Sequence, residues 1–284
     1  MKQQADFTII YSDDDIIVVN KRSGLLVAAD RYDDKAPRLD LAVEKEAGEI
    51  WAVHRIDKDT SGLVVYARNA EAHKKLSAQF EQREVHKTYH CLVNGRPVWK
   101  EFHADYPLQV DGDKRHRTIV AKGGKPSETD FRLIGVCGPF SWLEACPRTG
   151  RTHQIRAHLR EMKLTIVADP LYSGNQRGVF LSDFKRKWNG IEEEERPLLA
   201  RLALHAYSIS FTHPATGKSV SFTAPYPRDL EAVRKQMAKV FKVDPLAFAP
   251  SADAAVQAAG KATVPPIAAV AAVTTPGTAG EGSR

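Results

Sequence analysis

Residues 54–67 read HRIDKDTSGLVVYA. The second half, Leu63 to Ala67, is an unbroken apolar run, the pattern of a short strand covered on both faces. The first half sets Asp57 between Arg55 and Lys58 and adds Asp59 two residues on. If His54 to Asp57 is extended, Arg55 and Asp57 share one face and His54 and Ile56 the other. A guanidinium beside Asp57 favours the ionised carboxylate, and an ionised, positioned carboxylate serves as nucleophile or general base. Ser61-Gly62 is expected to turn the backbone sharply behind it. A surface turn with an exposed Arg–Asp pair, which contributes little to stability, fits the same residues.

Upstream, Ile16 to Val19 is a second β-branched run between the acidic turn Asp13-Asp14-Asp15 and the turn Asn20 to Gly24, and reads as another buried strand. Leu39, Ala42 and Val43 predict a short helix that Gly48 stops. Downstream, Asn69 caps a helix whose Ala72, Leu76 and Phe80 form one apolar stripe. Thr88 to Val93, Phe131 to Val136 and Phe140 to Cys146 read as strands. Leu204 to Thr212 and Ser219 to Thr223 flank HPATGK, a hairpin signal, and a last helix is expected from Arg228 to about Lys239. Residues 111–128 form a basic, glycine-containing hairpin or loop. Residues 173–200 lack periodicity, carry Lys185-Arg186-Lys187 and Glu192 to Glu195, and read as a surface insertion. Strands and helices mix without strict alternation, so the fold class is α+β, not doubly wound.

The 284 residues are 43% hydrophobic and 27% charged, an ordinary globular composition, with a net charge of +6. From Pro250 the chain turns to Ala, Pro, Val, Thr and Gly without an aromatic residue. Residues 250–284 are therefore expected to be a disordered tail behind a folded unit at 1–249. The tail charges cancel, which leaves the basic surplus on residues 1–249, where it suits a polyanion. Three cysteines without a CxxC pair argue against a disulfide framework or a thiolate zinc site, and they fit a reducing, cytoplasmic setting. The start, MKQQADFTII, lacks the apolar stretch of a secretion signal, and no run reaches the ~18 apolar residues of a membrane span.

Arg148 to Arg160 reads RTGRTHQIRAHLR, four arginines and two histidines in 13 residues. A Thr-Gly turn leads into a helix expected from about Thr152, with Ile155, Leu159 and Met162 towards the core and His153, Arg156 and Arg160 on another side. Arginine forks match phosphates and carboxylates, and a helix N-terminus adds backbone donors. A solvated basic face would read the same way. His153 and His158 are five apart, which is not the spacing of a helical zinc pair, so no metal is expected. In His86-Lys87-Thr88-Tyr89-His90, Lys87 and Tyr89 share one strand face. The tyrosine offers a ring for stacking and a hydroxyl for proton transfer, or cross-strand packing alone.

Taken in order, several stretches resemble the RluA-type pseudouridine synthases. HRIDKDTSGL resembles their HRLDxxTSGL signature, and NKRSGLLV at 20–27 their NKPxGL turn, with Arg22 where proline is usual. HKTYH is similar to their K-x-Y element, and RTGRTHQIRAHL to their RTGRTHQIRxH motif; DPLY at 169–172 and LHA at 204–206 follow the same pattern. The resemblance covers roughly residues 8–227. It implies the synthase catalytic fold, a mixed, mostly antiparallel sheet flanked by helices. Many relatives carry a separate N-terminal S4-type RNA-binding module; here the first motif begins at about residue 11, and no such module is expected. The resemblance implies an isomerase that breaks the N1–C1′ bond of a uridine in tRNA or large-subunit ribosomal RNA and rejoins the ring through C5, with no cofactor. Carried over, Asp57 is the catalytic aspartate, Tyr89 stacks on the target base and takes part in removing the C5 proton, and Arg156 pairs with Asp57 or steers the flipped nucleotide. Arg55 fills the gap left by the flipped nucleotide, and Ile155 is pocket wall. His54, Lys87, Arg148, Arg151, His153 and Gln154 complete the substrate-binding set. Loop 111–125 and the insertion 173–200 are candidate RNA contacts, and the default state is a monomer.

Two other readings stay open at this level. A nucleic-acid glycosidase would need a second carboxylate, for which Asp59 is the candidate. A catalytically silent RNA-binding protein would use the same basic surface.

Overall fold

The computed structural model describes residues 5–29, 36–174 and 177–247. The tail expected at 250–284 lies outside the described residues. The chain opens with an antiparallel pair, β1 (Phe7–Ser12) and β2 (Ile16–Lys21), followed by α1 (Leu39–Ala47), β3 (Trp51–Ala52), β4 (Ser61–Ala67) and α2 (Ala70–Glu81). Next come β5 (His86–Asn94), β6 (Glu101–Asp105), the short strands β7 (Leu108–Gln109) and β8 (Ile119–Val120), β9 (Glu128–Cys137) and β10 (Phe140–Pro147). Helix α3 (Gln154–Glu161), β11 (Leu204–Thr212), β12 (Ser219–Thr223) and α4 (Arg228–Phe241) complete the described fold.

One sheet carries the order β1-β2-β4-β11-β5-β10-β9-β6, with β12 beside β11 and β3 beside β4. Every pairing in it is antiparallel except β4 with β11. This is the mixed, mostly antiparallel sheet that the sequence implied.

The apolar runs are continuous because helices cover both faces of their strands. On β2 and β4, Ile16, Val18, Leu63 and Val65 pack on the side of α2, with Ala72 and Leu76. Ile17, Val19, Val64 and Tyr66 pack on the other side, with Leu39 and Val43 of α1. Each such Val, Ile or Leu contributes about 1.5–3 kcal/mol by leaving water. Asn69 caps α2 through its side chain, which accepts from the Ala72 amide at 2.8 Å. The larger core lies around β5, β10 and β9, where Trp142, Leu92, Leu143 and Phe131 meet Leu159 of α3 and Leu230 and Met237 of α4.

The structure corrects two expectations and decides a third. Ser61 and Gly62 open strand β4, and the turn before them is Lys58-Asp59. Glycine is required at 62 by a close approach: with φ at +114°, a Cβ there would lie 2.2 Å from the Ala206 carbonyl oxygen of β11. Of the two forms expected for residues 111–128, the structure has the hairpin: Leu108 and Gln109 pair with Val120 and Ile119 across it. The segment 173–200 is more than a surface insertion, since Val179, Phe184 and Leu199 are buried in the main core. Its charged runs, Lys185 to Lys187 and Glu192 to Glu194, are exposed.

Candidate active site

Asp57 sits in the loop between β3 and β4, and the loop is held from beneath. Ile56 is buried against α1, and the Thr60 amide donates back to the Asp57 carbonyl at 3.1 Å. Lys21, at the end of β2, is wholly buried, and its ammonium donates to the carbonyls of Lys58, Leu25 and Arg22 at 2.9, 2.9 and 3.1 Å. Burial pulls its pKa down to about 7 against the opposing charges of Asp57 and Asp59. Three carbonyl acceptors use all three donors of the protonated form. Ser23 Oγ donates to the Asp59 carbonyl at 2.7 Å and the Gly24 amide to that of Lys58 at 2.8 Å. Arg22 suits this turn: its amide, a donor that proline lacks, bonds the Asp6 carbonyl at 3.0 Å. Its guanidinium bonds the Asp6 carboxylate at 2.8 Å.

The opposite bank is built by residues 148–172. Gln154 is fully engaged there. Its amide oxygen accepts from Thr149 Oγ1 at 2.6 Å and from the Arg151 amide at 3.0 Å. Its amide nitrogen donates to the Glu128 carbonyl at 2.8 Å and to Thr129 Oγ1 at 2.9 Å. The residue placed among substrate binders by resemblance is thus the clamp that shapes the Thr-Gly turn. Helix α3 starts at Gln154, later than expected, with His153 before it in the left-handed region at φ 53°.

The helix is covered almost all round, which corrects the expected cationic outer face. Arg156 is 2% exposed. Its Nε and Nη2 donate to the two oxygens of Asp169, both at 2.8 Å, and Nη1 donates to Asp57 Oδ2 at 3.1 Å. Burial opposes the guanidinium charge, but the hydrogen bonds of Asp169 and the charge of Asp57 outweigh it, so the pKa of Arg156 is raised. Burial likewise would raise the pKa of Asp169, and the bond from Arg156 brings it below the usual value. Asp169 also accepts from the amides of Leu171 and Tyr172 at 2.9 and 3.0 Å, and the Tyr172 ring lies 5.0 Å from the Arg156 guanidinium carbon. Asp169 is fully buried and Tyr172 nearly so. The sequence reading quoted DPLY without giving either a role; the signal was a carboxylate inside the apolar stretch 164–172.

Tyr89 comes in from β5, facing Ala206 of β11 on one side and Ala145 of β10 on the other. Small neighbours leave its ring as the wall between the banks. Lys87 follows it on the same strand face, as expected, and both line the cleft. Burial, then the charge of Asp57, raises the pKa of Tyr89, so its hydroxyl is neutral. His153 Nε2 is 3.9 Å from Asp57 Oδ2, and burial lowers the pKa of this ring. His54 Nε2 accepts from the Val65 amide at 2.9 Å and its ring stacks on Phe80 at 4.6 Å, so it anchors the loop as well as lining the cleft. Arg55 is exposed at the rim. Arg148 is held by Asp130, and Arg151 reaches the Pro126 carbonyl. Ile155 is pocket wall, 6% exposed.

The cleft has a volume of about 520 Å³, and six cations among its lining residues face two carboxylates, Asp57 and Glu81. Asp59 is not among its lining residues, so nothing sets it across a bond from Asp57. His158 is engaged with Thr129 Oγ1 and the Tyr106 carbonyl, both at 3.1 Å. Among the described residues, Asp13, Asp15 and His213 bring ligand atoms within 4.8 Å of one another. The two aspartates sit at the β1–β2 turn and His213 in the β11–β12 turn, away from the cleft lining, and Asp13 already accepts from Tyr11 and His213 at 2.7 and 2.8 Å. No described helix is long and apolar enough to cross a membrane.

Residues 15–161 match the family described as RNA pseudouridylate synthase. The chain is 38% identical over 230 residues to ribosomal large subunit pseudouridine synthase D of Neisseria meningitidis serogroup B, covering 78% of this chain and 59% of that protein. It is 32% identical over 225 residues to the dual-specificity RNA pseudouridine synthase RluA of Escherichia coli, covering 78% of this chain and 94% of that one. The chain thus spans nearly the whole of one relative and under two thirds of the other. Among solved structures, human RNA pseudouridylate synthase domain containing 1 shares the fold, with a TM-score of 0.64, 23% identity, and coverage of 91% of this chain and 97% of that one. The chain belongs to the RNA pseudouridylate synthase family.

Proposed function

We propose that residues 1–249 form one catalytic unit that isomerises uridine to pseudouridine in structured RNA. The observation that carries this reading is the carboxylate of Asp57, aimed into a basic cleft by a guanidinium that Asp169 locks in place, with the ring of Tyr89 as the adjoining wall. Cations along the cleft grip the phosphates. A base stacked in a helix cannot reach Asp57, so the nucleotide flips out, most readily from a loop. Asp57 then acts on the nucleoside as the N1–C1′ bond breaks. The ring turns, C5 bonds to C1′, the C5 proton leaves and N1 gains one, so atoms balance without an oxidant or a second substrate. Tyr89 stacks on the base and its neutral hydroxyl is placed for the C5 proton. Arg55 enters the space vacated in the RNA stack. A hydrolytic reading needs a second carboxylate about 5–9.5 Å from the first across the bond, a part for which nothing sets Asp59 in the cleft lining.

The substrate is tRNA, large-subunit ribosomal RNA, or both; the name of one relative supports the ribosomal RNA, and the dual specificity in the name of another supports more than one RNA. The hairpin at 108–120 is a further RNA contact, tied to the active bank through Thr118, whose amide donates to the Tyr172 hydroxyl at 2.9 Å. The segment 173–200 is a weaker one, since it holds as many carboxylates as cations. The protein works as a monomer in the cytoplasm; none of its three cysteines is in a disulfide, which supports a reducing setting. Mapping pseudouridine in total RNA from cells with the gene, without it, and with it restored tests the proposal. One or more sites vanish and return with the gene; a complete set of sites in the deletion strain rejects it.

A further inference from the structure

The cleft does not end at Asp57. It continues past His54 to the C-terminal end of α2, where Val53, Phe80 and Val85 form an apolar wall. A single flipped uridine against Asp57 and Tyr89 leaves this arm for something else.

Two cations line the arm. Lys87 is half-buried, burial lowers its pKa, and it has no ion pair among the described residues. A desolvated cation without a counter-ion is costly, and a bound anion relieves it. Arg83 is exposed, again without an ion-pair partner among the described residues. It occupies the position just past the helix end, with φ at +63°, and its amide donates to the Phe80 carbonyl at 3.3 Å. Helices that end this way usually place glycine there, because a Cβ is strained in the left-handed region. Glycine would serve the backbone at least as well there, so helix stability does not call for arginine at 83 and its guanidinium is left for another contact. Glu81 is the one carboxylate on this part of the wall.

We propose that this arm is a subsite for the nucleotide next to the flipped uridine, with Arg83 and Lys87 on its phosphate and its base against Val53, Phe80 and Val85. The proposal rests on the RNA reading above and names where the neighbouring nucleotide goes.

The test is fluorescence anisotropy of the full chain with a labelled ten-nucleotide oligouridylate at several salt concentrations, alongside thermal melting. Arg83→Gly binds about tenfold more weakly, the loss of one charge-assisted hydrogen bond. Its plot of log affinity against log salt flattens by about 0.7, one phosphate contact on a single strand. It melts at the wild-type temperature or above, because glycine relieves the backbone at 83. Lys87→Met flattens the same plot by a similar amount, and Arg83→Lys recovers part of the affinity. Wild-type affinity and salt slope in both Arg83→Gly and Lys87→Met would overturn the proposal. So would an affinity loss in Arg83→Gly that comes with a lower melting temperature and that Arg83→Lys does not restore. These readouts report binding alone, whereas pseudouridine mapping reports chemistry, so the subsite and the enzymatic reading can fail separately.

Discussion

The two banks of the cleft each present a carboxylate to the same guanidinium, and the two are treated differently. Asp169 is fully buried and accepts four hydrogen bonds, two from Arg156 and two from backbone amides. Asp57 has 22% of its side chain exposed and takes one bond from Arg156, with its loop held through backbone carbonyls and not through its carboxylate. One acid is saturated and fixes the arginine; the other is kept available and is fixed by it. Under the proposed function, Asp169 is the positioning group and Asp57 the reacting one.

Removing Asp169 should have the largest effect on this arrangement. Asp169→Ala leaves a buried guanidinium with one partner, and should cost about 3–5 kcal/mol in denaturant unfolding, with uridine conversion falling more than about a hundredfold because Asp57 loses its fixed neighbour. A variant as stable and active as wild type would show that the banks are independent. Gly62→Ala comes next. The methyl would meet the Ala206 carbonyl where β4 and β11 run side by side, and backbone strain plus overpacking should cost about 2–4 kcal/mol. A wild-type melting curve would mean that this junction does not set the distance between the banks.

A smaller, pH-dependent effect lies behind that junction. His205 is fully buried, 3.0 Å from Ser61 Oγ through Nδ1, and burial pulls its pKa to about 3. In the unfolded chain the ring titrates near its ordinary value, about 6.5. Between those values the unfolded state binds the extra proton, so the stability contribution is intact above about pH 6.5 and shrinks as pH falls towards 3. At pH 5 the loss is about 2 kcal/mol. His205→Gln should show a stability profile flatter by that amount between pH 7 and pH 5, whatever its stability at pH 7. An unchanged profile would mean that the ring is hydrated in the folded state.

Much of this was legible in the chain. Strands β2 and β4 announce themselves because both faces are covered, so their central runs, Ile16 to Val19 and Leu63 to Ala67, are unbroken and apolar; α2 and the β11–β12 hairpin carry local cap and turn signals. Edge strands such as Glu101–Asp105 were not legible, since one buried residue, Ala104, gives no periodicity to read. Asp57, Tyr89 and Arg156 stood out as motif residues. Asp169 and Lys21 did not, because their partners lie 13 and 37 residues away and only the folded backbone brings them together. The burial of Arg156 was not legible for a related reason. A helical wheel gives the angles between side chains, but a helix covered on nearly every side has no outer face for them to mark.

The central claim is that Asp57 reacts while Asp169 only positions. Asp57→Asn tests it most directly, because Arg156 keeps its Asp169 fork and the fold is left intact. The measurement is pseudouridine formed in RNA from the deletion strain by purified wild-type and variant protein, with RNA affinity measured in parallel. The account predicts affinity within about threefold of wild type and conversion at least about a thousandfold lower. Full conversion by Asp57→Asn would contradict it.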